Sequence, residues 1–335
     1  MAASSEIAQV EPDPPAAAPR PEAAPAGEGA GRSETAGAGE NLYLIGRPQL
    51  KSFLKFVKSH AVSPPSEGDL AGEWQAANDL VRRLEKQEAE AADDPPIDKL
   101  GPEYEPLLIE LLDDPLVRHG FNTVPTDVAL VELDRLVVYQ KHIDLTYVRQ
   151  LADNLGPAPT REQIFRTCLL HDHPQPPMKW SRVGDNRFIF VSPSNDLRFL
   201  GALPMHAGHI KDVALPGQLA GVAGITVGFG SNFLNAIYAE KRLILNNGSH
   251  RAYALREMGI THVPCIVQHL SSRDQVEVLA SKEVRRDPEL YLGRPRPPML
   301  KDYFNPMLHR VMAVHRRLRQ ITVRFEIEEN YVPAL

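Results

Sequence analysis

At 335 residues, 43% hydrophobic and 24% charged, the chain is long enough for one sizeable core with extensions. No apolar run approaches the roughly 20 residues that cross a bilayer, the N-terminus lacks the basic start and apolar stretch of a secretory signal, and Cys168 and Cys265 make no disulfide framework, so a reduced, cytoplasmic protein with no membrane partner is expected. The net charge of -6 lies almost wholly in residues 1–40, where seven acids face Arg20 and Arg32; this excludes a global electrostatic footprint for nucleic acid and leaves only local patches open.

Residues 1–40 are Ala, Pro, Gly and Glu with scarcely any large apolar side chain, the composition of a disordered tail. A transit peptide is the functional alternative, against which the acids and prolines argue. Residues 41–125 read as a helical lead-in. Leu42, Leu44, Ile45, Leu50, Phe53, Leu54, Phe56 and Val57, with Lys51, Lys55 and Lys58 between them, predict a short helix with a solvated basic face. A nucleic-acid or membrane surface is the functional alternative for that face. Leu70, Trp74, Ala77, Val81 and Leu84 form the stripe of a second helix, and Tyr104, Leu107, Leu108, Leu111 and Leu112 that of a third.

The main domain is expected over residues 126–270. Val128 to Leu133 reads as a strand, and Asp144 is placed to cap a helix through Val148, Leu151 and Leu155 that Gly156-Pro157 closes. Thr160 and Gln163 form a capping-box pair for a helix through Ile164, Phe165 and Cys168. A β-rich insertion follows, with short strands at 179–183, 187–191 and 197–200, a hairpin turn at Gly184-Asp185-Asn186 and a further strand at 225–227. Gly228-Phe229-Gly230 reads as a turn, with a phosphate cradle as its alternative. His171, His173, His206 and His209 match no fixed ligand spacing, so they read as loop residues and no metal site is assigned.

Leu243-Ile244-Leu245-Asn246-Asn247-Gly248 then reads as a buried strand running into a sharp turn. Ser249 stands where an N-cap belongs, Ala252, Leu255 and Met258 recur at helical spacing, and Val263 to Val267 reads as the next strand. A helix that starts just behind a glycine turn aims unpaired backbone N–H groups outward, and His250 with Arg251 adds cationic donors, so the corner suits a phosphate. The C-terminal extension, residues 271–335, should open with a helix over 272–283 and close with an alternating strand through Ile321, Val323, Phe325 and Ile327.

Asn247-Gly248-Ser249-His250-Arg251 resembles the second motif of the ParB/sulfiredoxin-like superfamily, and Val131 to Lys141, with Tyr139-Gln140-Lys141, resembles its first. The resemblance implies an α+β core over about residues 126–270, carrying the helical lead-in, the insertion and the C-terminal extension. It also implies that the first-motif loop brings Gln140 and Lys141 toward the ligand of the Gly248 corner. The departures are informative. Ser249 stands where sulfiredoxin carries its catalytic cysteine, the glutamate that ParB partition proteins tie to nucleotide hydrolysis is missing, and Asn247 replaces an aspartate common in the family. Sulfinic-acid reduction is therefore not expected.

The function expected from these residues is binding of a nucleotide or another phosphorylated small molecule by Gln140, Lys141, Asn247, Gly248, Ser249, His250 and Arg251. A nucleotide hydrolase or phosphotransferase is the enzymatic alternative; it would use a nucleotide with Mg, and Asp134 and Asp144 are the nearby acids for the ion. A DNA-directed module or nuclease is the third reading, although no helix-turn-helix is legible after the core.

Overall fold

The computed structural model describes residues 38–46, 48–170, 176–194, 196–206, 208, 217–230 and 232–333. The expected tail up to residue 37 and the loop histidines His171, His173 and His209 lie outside these residues. The molecule is a mixed α and β protein.

The chain enters through β1 (Ala38–Leu44), followed by α1 (Leu50–His60) and α2 (Glu67–Gln87). The apolar residues Leu42 and Leu44, expected on the first helix, instead lie on β1, which pairs antiparallel with a strand from each side. Pro48 and Gln49 separate this strand from α1, whose Phe53 and Val57 are fully buried. Ser66 caps α2 by accepting from the Asp69 amide, and the predicted stripe of Leu70, Ala77 and Val81 faces the core. Complete burial of side chains such as Phe53 and Leu70 contributes about 1.5–3 kcal/mol each. Next come β2 (Ile97–Lys99), α3 (Glu105–Asp113), α4 (Pro115–Gly120), β3 (Thr126–Glu132) and β4 (His142–Asp144).

The two helices read from their caps form as expected. Asp144 Oδ1 accepts from the amides of Thr146 (2.9 Å) and Tyr147 (3.1 Å) to start α5 (Leu145–Leu155), which stops at Gly156. Thr160 and Gln163 exchange both bonds of a capping box at α6 (Arg161–Cys168). The insertion is β-rich: β5 (Lys179–Arg182), β6 (Arg187–Ser192), β7 (Leu197–Met205) and β8 (Val222–Phe229). Gly228 and Phe229 end β8, and the space beside Gly230 is filled by the Arg198 guanidinium, which leaves the turn reading of this Gly-X-Gly in place.

Then follow β9 (Asn235–Ala239), β10 (Arg242–Asn247), α7 (Ser249–Glu257) and β11 (His262–His269). The region expected as one helix over 272–283 is two, α8 (Arg273–Leu279) and α9 (Lys282–Arg286), because Ser281 starts a new helix by accepting from the Val284 amide. The chain ends with β12 (His309–His315) and β13 (Arg319–Arg324); Ile327 lies beyond the last strand.

The strands form a five-stranded sheet in the order β10-β9-β11-β3-β2, two three-stranded sheets, β12-β1-β4 and β13-β6-β5, and the ribbon β7-β8. β9 and β11 run parallel and the other pairs of the central sheet antiparallel. The segments expected as lead-in and extension thus share sheets: β1 from the first pairs with β12 from the second over Ala38 to Leu44. The larger of two buried clusters runs from Leu42 to Val314 and includes residues of β1, α1, α2, α5, α6, α7 and β11; the smaller joins Val137, Ile237 and Ile244 to Val276, Val284 and Leu292. Both cysteines lie inside the larger, free and buried, and burial pushes the Cys168 thiol up to about 12. No helix among the described residues is long and apolar enough to cross a membrane.

Candidate functional site

The corner is made where β10, buried through Leu243, Ile244 and Leu245, reaches Asn246-Asn247 and turns through Gly248 into α7. Gly248 has φ 100° and ψ 19°, in the left-handed region, and a Cβ there would lie 3.0 Å from Leu234 Cγ and 3.3 Å from Arg251 Nη2. Both the dihedral and the space therefore select glycine. Gly248, and not Ser249, is the N-cap, and no side chain caps this helix. The amides of Ser249 and His250 accordingly have no acceptor among the described residues, which is the arrangement that attracts an anion.

The first motif arrives beside this corner. Val137 bridges Ile244 in parallel, with Val137 N donating to Leu243 O and Leu245 N to Val137 O, both at 2.9 Å. Two residues on, the Tyr139 hydroxyl donates to Asn246 O at 2.6 Å. The main chain of the loop is then fixed on its other side: Gln140 O accepts from the Tyr303 hydroxyl and Lys141 O from the Leu44 amide. Gln140 is half-buried, and Lys141 is exposed and forms no ion pair among the described residues. Val137 and Tyr139 thus hold the first-motif loop against the end of β10, while the carbonyls of Gln140 and Lys141 are taken by Tyr303 and Leu44.

Two side chains differ from their expected roles. Arg251 is 2% exposed and turned inward. Its Nη1 donates to Thr167 O (3.0 Å) and Cys168 O (2.9 Å), and its Nη2 to Asn232 Oδ1 (2.9 Å). The guanidinium closes the C-terminal end of α6, where helix carbonyls have no internal partner and the helix dipole favours a cation. The fork assigned to phosphate is therefore filled by protein acceptors. His250 is half-buried rather than cationic: its pKa is lowered to about 4, first by desolvation and then by His142, with Asp144 and Asp196 opposing. At neutral pH it offers a neutral imidazole, which donates from one nitrogen and accepts at the other.

Around these lie residues that the motifs did not single out. The Tyr147 ring meets His250 edge-on, with centroids 5.7 Å apart. Asp196 acts electrostatically on His250 and Tyr147, and it pairs with Arg198 at 2.9 Å. Tyr147 was legible as the third residue of a capped helix; Asp196 and Arg198, at the start of β7, carried no local signal. The two acids considered for a divalent ion have other partners. Asp134 is held by the Arg256 fork at 2.7 and 3.0 Å, and Asp144 caps α5. Among the described residues no group of three His, Cys, Asp or Glu side chains is placed to hold a metal.

Comparison with protein-family models, curated proteins and solved structures returned no match.

Proposed function

We propose that the chain is a ParB/sulfiredoxin-like protein that binds a nucleotide or another phosphorylated small molecule at the Gly248 corner. The observation that carries this reading is the joining of two ordered motifs, about a hundred residues apart in sequence, by the Val137–Ile244 bridge and the Tyr139–Asn246 bond beside an uncapped helix start. In this reading the phosphate is taken by the Ser249 and His250 amides and the Ser249 hydroxyl. Lys141 supplies a point charge, and neutral His250 a hydrogen bond. Arg251 serves the site from behind, by fixing α6 and Asn232 against α7.

Binding is favoured over hydrolysis because Asp134 and Asp144 already have structural partners. The test is a panel of nucleotides and inorganic phosphate, read by thermal shift with and without magnesium. A ligand at 100 times its dissociation constant adds about 2.7 kcal/mol of stability. A reproducible rise with one phosphorylated compound, lost in Lys141→Ala, supports the proposal. No rise with any phosphorylated compound overturns it and leaves the corner a turn without a ligand.

A further inference from the structure

The ribbon β7-β8 is apolar on both faces. Its register sets Phe199 opposite Val227 and Ala202 opposite Ile225 on one face, and Leu203 opposite Gly224 and Met205 opposite Val222 on the other. From Phe199 to Met205 and from Val222 to Phe229 there is no charged residue, and the one polar side chain, Thr226, turns its hydroxyl back onto Gly201 O at 2.9 Å. Phe199 and Leu200 are 53% exposed, Leu203 44% and Ile225 38%. None of these residues belongs to either buried cluster or is among the side chains packed against one. Two strands by themselves are marginal in water, and a contiguous apolar surface marks a contact with another molecule.

The two edges of the ribbon differ. β7 is interrupted by a bulge between Phe199 and Gly201 and carries Pro204, two devices that keep an edge from pairing. β8 has neither, and it runs from Val222 to Phe229 without a proline, a lysine or any other charge. Among the described residues no third strand pairs with either edge. The outward N–H and C=O groups of β8 are therefore an open template for a further strand.

The chemistry of this edge selects its occupant. Lipid covers side chains but offers nothing to backbone donors and acceptors, so it leaves the edge unsatisfied. A charged partner finds no counter-charge on β8. An identical strand, by contrast, meets no like-charge penalty in antiparallel self-pairing, because β8 has no charge to repeat, and it sets Ile225, Thr226 and Val227 beside their own counterparts. We infer that β8 pairs antiparallel with β8 of a second copy of the chain, joining the two ribbons into one sheet in the order β7-β8-β8-β7. The contact is isologous, and the blunted β7 edges end the sheet, so assembly closes at a two-fold dimer and does not continue into a filament. The surface is independent of the phosphate corner and requires nothing of it.

The test is the mass of the full chain in sedimentation velocity over a hundredfold range of concentration, with hydrogen exchange of the β8 amides measured alongside. Expected are a species of twice 37.2 kDa that persists at high salt, and slow exchange at β8 that becomes faster on dilution. Ile225→Lys and Ile225→Glu each bring like charges together across the two-fold, and each should weaken dimerisation by about tenfold or more. An equimolar mixture of the two variants should recover the dimer, now sensitive to salt. Ile225 is partly exposed and outside both clusters, so the circular dichroism of each variant should match that of the parent protein. A parent chain that is monomeric throughout the range overturns the inference, as does a dimer that both variants retain or one whose β8 amides exchange as in the monomer. Flotation of a monomeric chain with phosphatidylcholine vesicles assigns the ribbon to lipid and overturns it as well.

Discussion

Replacing Arg251 by alanine separates a structural role from a ligand-binding one. The guanidinium makes three hydrogen bonds of 2.9 to 3.0 Å from a position 2% exposed. Each bond from a charged donor is worth about 1.5–3 kcal/mol, and breaking a buried charged contact typically costs about 3–5 kcal/mol in all, because such bonds do not add independently. Alanine would remove the donor to the Thr167 carbonyl and the Asn232 amide oxygen, leave the Cys168 carbonyl to the Leu234 amide alone, and open a cavity beneath Gly248. A loss of about 4 kcal/mol is expected, which for a folded chain of roughly 300 residues is a fall in Tm of roughly 6 °C. Arg251→Lys keeps the charge and loses the planar fork, so it should recover only part of that loss. Thermal denaturation by circular dichroism measures the fall, and titration of inorganic phosphate or a binding nucleotide below the melting range measures affinity. If Arg251→Ala melts within about 2 °C of the parent protein and its affinity drops tenfold or more, the inward fork is refuted and Arg251 is a ligand contact.

Gly248→Ala should cost roughly 2–3 kcal/mol in urea denaturation, since φ 100° is unfavourable for an L side chain and the new methyl meets Leu234 at 3.0 Å; an unchanged midpoint would argue against this turn geometry. Asp302→Ala removes the carboxylate that holds the buried Arg296 fork at 2.5 and 3.0 Å, and a loss of about 3–5 kcal/mol in the same assay is expected. Stability should also fall in acid through His250. Its pKa is 6.5 when exposed and about 4 in the fold, so the unfolded state takes up the proton first. The effect is absent above pH 6.5, grows as pH falls toward 4, and reaches about 3 kcal/mol at most. His142, also lowered by burial, acts in the same direction, and His250→Gln should flatten the acid limb of the stability-pH curve; an unaltered limb contradicts the assignment.

What the sequence determined by itself were features set by neighbours along the chain. Asp144, Thr160 with Gln163, and the spacing of Leu70, Ala77 and Val81 specify helices because cap bonds and apolar stripes span only a few residues. Gly248 was legible for the same reason, and the strand-turn-helix-strand from Leu243 to Val267 formed as read. The tertiary structure decided what depends on partners far away. Leu42 and Leu44 fit a helix as well as a strand until β12, some 270 residues later, offers its edge. The direction of Arg251 is set by carbonyls 83 and 84 residues earlier, and the charge of His250 by burial among α5, β4 and the start of β7. A motif specifies which side chains stand at a corner. Whether a guanidinium faces a ligand or a helix end depends on which acceptors the completed core leaves unsatisfied, and no local stretch of sequence contains that information.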